Sequence, residues 1–285
     1  MRGQEVLEFW WVILAGPALV GYGRSLAGVT RAQRAVWAKA RIVAVQQPAH
    51  GDSEKPGIPV TLTFQDPATG QEFTLSNDGR HGDAVKEAWV GREIDVRYPP
   101  GQPLRFAVVL GGPREQTGRE GPDCAVMLLL IGLVIHATVR WGCPWALLGF
   151  GALLTLFAVR SPDIRMVRAR NALLASAVAV PARVVAVTKD VYTDDEAGCD
   201  IVVHTPVIAF TTHEGSHVTV LTHEGIPDPG RSLHRALTVH YAPTDPAVHT
   251  ADRAADRRSG ARNIAFVVAL LLTGIAGVVV GAVML

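Results

Sequence analysis

The sequence predicts a membrane protein of mixed α and β structure, with four transmembrane helices and two similar small all-β domains. Four apolar runs, residues 6–23, 124–139, 141–159 and 264–285, approach or reach the roughly 20 residues that a helix needs to cross a bilayer. Between them lie two stretches of alternating apolar and polar residues, which is typical of half-buried strands. The two stretches resemble each other, so each half of the chain is predicted to contain a span, a β domain and a span.

The two central apolar runs predict a membrane hairpin. Arg140 is the only Asp, Glu, Lys or Arg between Cys124 and Val159. Pro144 suits the first turn of the second helix, because the N–H that proline lacks has no intrahelical partner there.

The first run has a signal peptide as its alternative. Arg2, Glu5 and Glu8 do not give that segment the positive start of a signal peptide, and we therefore predict a retained span.

Residues 36–110 are predicted to form the first β domain, a small barrel or sandwich of OB-like size with five short strands. Alternation is clearest at Val60, Leu62 and Phe64 and again at Ile94, Val96 and Tyr98, with glycine- and proline-rich turns between the strands. Residues 83–89 predict the one short helix of this domain, and residues 111–123 predict a linker to the membrane.

Residues 176–250 are predicted to form the second β domain, because they repeat the pattern of the first. Residues 182–187 repeat 40–45 at a spacing of 142, and both domains end in V-x-Y-x-P-x-x-P, at 96–103 and 239–246. A repeat of this length indicates duplication of a whole unit. We expect Tyr98 and Tyr241 to be buried against the opening strand of their own domain, near Ile42 and Val184, and the two domains to fold independently.

These residues carry a resemblance to a known family. The A-R-[IV]-V-A-V opening strand, a second strand containing P-V, a glycine turn and the V-x-Y-x-P-x-x-P end resemble the domain-of-unknown-function family 3592 (DUF3592), once in 36–110 and once in 176–250. The resemblance implies a membrane-anchored bacterial protein with small β domains. It implies no activity, since none is established for the family. Where family members often carry Asp after the tyrosine, this chain has Pro99 and Ala242.

The positive charges predict the orientation in the cell membrane. Lys and Arg concentrate on the cytoplasmic side of membrane proteins. Four spans would place both β domains on one side of the membrane and the hairpin tip and both termini on the opposite side. Only Arg2 and Arg140 flank the spans on the side of the termini. Fifteen basic residues flank them on the side of the β domains: Arg24, Arg31, Arg34, Lys39, Arg41, Arg114, Arg119, Arg160, Arg165, Arg168, Arg170, Arg253, Arg257, Arg258 and Arg262. We therefore expect both β domains in the cytoplasm and both termini outside.

One motif suggests metal chemistry. His213 to His217 match H-E-x-x-H, which binds zinc when it lies on a helix. Its neighbours are strand-forming, so we predict a β-hairpin tip instead and assign no catalytic or metal-binding residue. A zinc hydrolase or a metal-binding sensor remains the alternative, because the second β domain holds seven of the ten histidines: His204, His213, His217, His223, His234, His240 and His249.

The remaining features favour a non-enzymatic scaffold or interaction module with the lipid bilayer and an unidentified protein as partners. The net charge of +1 gives no field that would attract nucleic acid, and the three cysteines form neither a metal spacing nor a disulfide framework. We expect no cofactor. Gly277 and Gly281 form a G-x-x-x-G stripe that serves either packing within the chain or a homo-oligomer. His136 lies inside the second span, where a proton relay and an interfacial polar residue are the two interpretations.

Overall fold

Four apolar helices and two antiparallel sheets account for most of the computed structural model, which describes residues 10–111, 113–194, 198–223 and 225–285. The helices are α1 (Trp10–Leu26), α2 (Arg31–Arg34), α3 (Pro113–Thr117), α4 (Glu120–Trp141), α5 (Cys143–Arg160), α6 (Asp163–Ala175) and α7 (Arg253–Val283). The strands are β1 (Val36–Val45), β2 (Val60–Gln65), β3 (Glu72–Asn77), β4 (Glu87–Trp89), β5 (Glu93–Tyr98), β6 (Ala107–Val109), β7 (Val178–Asp194), β8 (Cys199–Thr211), β9 (His217–Leu221), β10 (Ala236–Ala242) and β11 (Asp245–Thr250).

The chain divides into two units. The helical unit contains the described residues up to Arg34 together with 113–168 and 259–285, and the β unit contains the described residues of 35–112 and 169–258. All six strands of the first half lie within the range predicted for one β domain, and all five of the second half lie within the other. The β unit therefore includes both predicted domains.

Four helices, which lie mainly in the helical unit, match the predicted spans, and residues 6–9 of the first span lie outside the described residues. Those beginning at Trp10, Glu120, Cys143 and Arg253 are all long and apolar enough to cross a membrane. Pro144 lies in the first turn of α5, as predicted. No residue of α4 is fully buried, and several of its large apolar side chains, among them Leu128, Leu133 and Ile135, are exposed. A surface of this kind is unfavourable in water and suits a lipid environment.

Glycines bring α5 and α7 into backbone contact inside the helical unit. A Cβ atom added at Gly151 would lie 2.6 Å from the carbonyl oxygen of Gly274 and 2.7 Å from the amide nitrogen of Val278. One added at Gly281 would lie 2.6 Å from the nitrogen of Leu148, and Gly277 also faces α5. The G-x-x-x-G stripe thus packs within the chain, and a homo-oligomer through it would need a surface that α5 already covers.

We expect Gly151→Ala to destabilise the helical unit. Overpacking against fixed backbone costs about 1–3 kcal/mol, which offsets or exceeds the gain of about 1 kcal/mol that alanine brings to a helix. The matched control is Gly16→Ala in α1, where an added Cβ meets nothing within 4 Å. Thermal unfolding of the full chain in detergent should give a lower midpoint for Gly151→Ala than for Gly16→Ala. Equal midpoints would contradict the close α5–α7 contact.

The β unit contains a five-stranded sheet and a six-stranded sheet, one of them nearly barrel-shaped. The strand order is β3-β2-β1-β5-β6 in the first and β11-β10-β7-β8-β9-β4 in the second. Strand β4 belongs to the first half of the chain but pairs with β9 of the second half. The first half therefore supplies the edge strand of the second sheet.

The central strands of the two sheets pair in the same register. Ala40 lies opposite Phe64, and Ala182 lies opposite Phe210. The register shifts immediately after Ile42 in β1 and immediately after Val184 in β7, so both sheets carry the same β-bulge. The third strand also agrees, since Val36 opposes Tyr98 and Val178 opposes Tyr241.

The two repeated tyrosines are buried, as predicted. Tyr98 is 1% exposed and Tyr241 is 0% exposed, and their rings lie 5.5 and 5.6 Å from those of Phe64 and Phe210. Their hydroxyl groups differ in partner. Tyr98 donates to Asp66 over 2.9 Å, whereas Tyr241 accepts a hydrogen bond from the amide of His213 over 2.8 Å. Burial, with this bond to Asp66, raises the pKa of Tyr98 to about 12.

The expectation that the two β domains fold independently presupposes separate cores, but the structure shows a shared one. The hydrophobic core around Phe64 and Tyr98 also contains Ala186, Val207 and Leu221 from the second half. Shared core residues and the β4–β9 pairing make the two halves depend on each other for burial of apolar surface.

One local prediction also fails. Residues 83–89 are not helical, because β4 forms there and pairs Glu87 with Val220. A tertiary contact thus overrides the helical pattern. The predicted linker 111–123 includes α3 and the first turn of α4 in its described part. There a short helix leads directly into the apolar helix.

Candidate functional site: a polar cleft in the β unit

A cavity of about 580 Å³ opens in the β unit and is lined by both halves of the chain. Ligand sites typically occupy about 300–1,000 Å³. The charged and polar side chains at this cavity, called here the polar cleft, are Glu54, Lys55, Lys86, Glu87, Arg170, Thr205, Thr222, His223, His249 and Thr250. The polar cleft is the best candidate for a binding site in the described part of the chain.

The loop between β1 and β2 carries Glu54 and Lys55 into the polar cleft. Main-chain bonds hold this loop on β7: the amide of Gly51 donates to the carbonyl of Val187, and the amide of Lys189 donates to the carbonyl of Asp52, both over 2.8 Å. These two main-chain hydrogen bonds fix the loop against β7.

Asp190 on β7 completes the anchoring of this loop. Its carboxylate accepts a hydrogen bond of 2.6 Å from the Ser53 hydroxyl and one of 2.9 Å from the Glu54 amide. Burial of Asp190, which is 6% exposed, raises the pKa of its carboxyl. The two hydrogen bonds and the charge of Lys55 outweigh that effect, so the pKa lies below its usual value. Asp190 is therefore an ionised acceptor of two hydrogen bonds, and these bonds position the loop segment that carries Glu54.

Glu54, Thr205 and His223 form a triangle of polar contacts in the cleft. The Thr205 hydroxyl donates to Glu54 Oε2 in a short hydrogen bond. The Nε2 atom of His223 lies 3.1 Å from the same carboxylate oxygen and 3.2 Å from the Thr205 hydroxyl. Thr205 is buried, whereas the His223 side chain is 53% exposed.

This triangle differs from a catalytic triad. In a triad the histidine contacts the hydroxyl through one ring nitrogen and the carboxylate through the other, and so takes the proton of the nucleophile. Here Nε2 of His223 lies beside both groups, Nδ1 lies 3.4 Å from the Thr205 hydroxyl, and that hydroxyl donates directly to Glu54. The arrangement therefore joins the hydroxyl directly to the carboxylate, with the imidazole beside both.

Basic side chains surround the triangle. The Lys55 ammonium lies 4.9 Å from the centre of the Tyr192 ring, a cation–π contact, and Lys86 is exposed. Arg170 is bound to Asp256 at 3.0 Å and to the carbonyl of His249 at 2.7 Å. The polar cleft thus combines lysine donors with the Glu54 acceptor, which suits a small polar ligand.

The H-E-x-x-H residues lie at a hairpin tip, as predicted. The amide of Thr212 donates to the carbonyl of Ser216 over 2.9 Å, and β9 begins at His217. His213 contacts the Tyr241 hydroxyl, and His217 lies 3.0 Å from the Thr211 hydroxyl. The helix that the zinc motif requires is absent from this described segment.

The other predicted site residues are dispersed. Of the seven histidines of the second β domain, His223 and His249 line the polar cleft. No group of three His, Cys, Asp or Glu residues that could hold a metal ion occurs among the residues that the structure describes. In the helical unit, the ring of His136 lies 6.3 Å from that of Trp10.

Sequence reasoning did not single out Glu54, Asp190 or Thr205. Glu54 and Thr205 are 151 residues apart and belong to no motif. The only local signal is Asp190 itself, an acidic residue between Lys189 and Val191 in a stretch that otherwise predicts a strand.

Comparisons of the chain with protein-family models, with curated proteins and with solved structures give no match. The resemblance to DUF3592 therefore stays a prediction.

We expect Asp190→Asn to destabilise the β unit most at neutral pH. Hydrogen bonds to a charged group contribute about 1.5–3 kcal/mol. Because the pKa of Asp190 is lowered on folding, its contribution is present above the unfolded value of about 3.9 and is lost as the pH falls through the folded value. Thermal unfolding would be measured between pH 7 and pH 3. The midpoint of Asp190→Asn should lie below that of the unchanged protein at pH 7, and this difference in midpoint should become smaller below about pH 4.

The matched control for Asp190→Asn is Glu72→Gln, which removes an exposed carboxylate from β3. This control should shift the unfolding midpoint little at any pH. A pH-independent difference for Asp190→Asn would contradict the role of the ionised carboxylate in holding the loop.

Proposed function

We propose that the chain is a multi-pass protein of a bacterial cell membrane whose β unit is a non-enzymatic binding and scaffold module on the cytoplasmic side. The observation that carries this proposal is what the two halves share. They share a register, a β-bulge and a buried Phe–Tyr pair, all of which determine the fold. The polar groups differ, since Asp66 bonds one tyrosine and His213 the other.

The same agreement supports a duplication. Two sheets that arose separately would have no reason to place the same bulge after Ile42 and Val184 and to pair Ala40 and Ala182 with equivalent phenylalanines. After duplication, residues needed for folding persist while polar residues diverge. A duplicated enzyme that kept two active sites would instead repeat its polar residues.

The chemistry of the polar cleft also supports binding over catalysis. Its buried hydroxyl donates directly to its carboxylate, whereas in a catalytic triad a histidine stands between the two groups. No observation favours the zinc hydrolase or metal sensor. Measurement of zinc in the purified protein, with His213→Ala and His217→Ala as variants, tests that alternative separately.

Orientation follows from the distribution of arginine. Fifteen of the seventeen basic residues near the predicted span ends lie on the side of the β unit, which favours a cytoplasmic β unit. The proposed partners are the lipid bilayer and an unidentified protein.

The native cysteines provide a test of location and orientation. Cys124, Cys143 and Cys199 are all free and exposed. We propose to keep one cysteine at a time and to label intact cells with a membrane-impermeant maleimide. Cys143, at the tip of the hairpin, should react in intact cells, whereas Cys199 in β8 should react only after permeabilisation. Equal reaction of the two in intact cells, or recovery of the protein in the soluble fraction, would contradict the proposal.

A further inference from the structure

A second cavity, of about 250 Å³, lies where α6 and α7 meet inside the β unit. It is lined by Asn171, Leu174 and Ala175 from α6 and by Arg253, Asp256 and Arg257 from α7. At roughly 30 Å³ per water molecule, it has room for a phosphate group and part of its ester substituent. This space is called here the arginine pocket.

Two guanidinium groups of the arginine pocket have no acidic partner among the described residues. Arg253 and Arg257 are four residues apart on α7 and so project from the same face of the helix. Asp256 is the one acidic group among the described residues that line the pocket, and it is bound to Arg170 at 3.0 Å, which neutralises its charge. The arginine pocket therefore carries an excess of positive charge.

The start of α7 is already satisfied by the chain. Asp252 accepts hydrogen bonds of 2.8 and 2.9 Å from the amides of Ala254 and Ala255, and these bonds lower the pKa of its carboxyl. An anion in the arginine pocket would consequently be bound by side chains, and the helix terminus would not hold it.

Arg253 is held in position by the end of α6. Its Nη2 atom donates to the carbonyls of Leu174 and Ala177 over 3.2 and 3.0 Å. These bonds leave its charge uncompensated, and its buried Nε atom has no hydrogen-bond partner in the part of the chain that the structure describes. Arg253 thus offers a preorganised cation with donors to spare. The neighbouring His240 adds no charge, since burial and Arg253 lower its pKa.

We propose that the arginine pocket binds a phosphate group, and that its source is the headgroup of an anionic membrane lipid. Two guanidinium groups and the Asn171 amide offer more donors than a carboxylate needs and suit a tetrahedral phosphate. The lipid source rests on the proposed membrane location. Arg257 lies seven residues before Ile264 on a continuous helix, about 10 Å along its axis. That distance is slightly more than the thickness of the headgroup layer, roughly 5–8 Å, and the long arginine side chain can span the difference.

The test compares two adjacent arginines. Arg257 lines the pocket, whereas Arg258 does not. The Nε atom of Arg258 donates to the carbonyl of Ala254. Arg257→Gln and Arg258→Gln remove the same charge from the same turn of α7. The positive-inside signal and diffuse attraction to the bilayer therefore change equally. Arg258 interacts with Ala254 and Asp252 outside the pocket, so only the loss of Arg257 removes a pocket cation.

Binding of short-chain phosphatidylglycerol to the full chain in detergent would be measured by native mass spectrometry, with phosphatidylcholine as the zwitterionic control and glycerol 3-phosphate as the soluble competitor. Arg257→Gln should weaken phosphatidylglycerol binding about tenfold or more, and Arg258→Gln about twofold or less. Arg257→Lys should fall between the unchanged protein and Arg257→Gln, because lysine keeps the charge but loses the fork of donors. Equal unfolding midpoints would show that all variants are folded.

The outcomes separate the lipid from a soluble phosphate. Binding that depends on Arg257 and resists glycerol 3-phosphate supports the lipid headgroup. Displacement by glycerol 3-phosphate, with the same dependence on Arg257, supports the phosphate site but overturns the lipid as its source. Equal weakening by both glutamine variants, or no preference over phosphatidylcholine, overturns the site. If the protein inserts into the membrane but shows equal weakening or no lipid preference, only the phosphate site is overturned. If the protein does not insert into the membrane, the proposed function is overturned.

Discussion

The β unit depends on main-chain hydrogen bonds that join two distant parts of the chain. The β1–β2 loop is bonded to β7 through Gly51 and Asp52, and the amide of Leu221 donates to the carbonyl of Lys86 over 2.8 Å at the β4–β9 pairing. The strand β3, which corresponds to β9, forms the edge of its own sheet. By covering β9, the first half removes an exposed edge that would otherwise favour aggregation.

The polar cleft is a consequence of this joining. Glu54 reaches Thr205 only because Asp190 and the backbone of β7 fix the loop that carries it. Each half contributes its own Phe–Tyr pair, whereas the cleft is lined by residues of both halves. The association of the two halves therefore creates a site to which both contribute side chains.

The sequence predicts what is local and misses what is distant. Runs of apolar residues predict the four helices, and alternation around Val60 and Ile94 predicts strands, because both patterns extend over neighbouring residues. The burial of Tyr98 and Tyr241 follows from the same alternation. The β4–β9 pairing and the contact of Glu54 with Thr205 join residues more than 100 positions apart. No local pattern specifies such contacts, and residues 83–89 were accordingly predicted to be helical.

Hydrogen exchange of the full chain over a denaturant series tests most directly whether the two halves form one cooperative unit. Peptides from β1 and from β8 would be followed by mass spectrometry after a short labelling pulse at each denaturant concentration. Because the halves share a core and a sheet, the account predicts one midpoint for both peptides, with protected and exchanged populations changing together. Two separate midpoints, with β1 exposed while β8 stays protected, would contradict it.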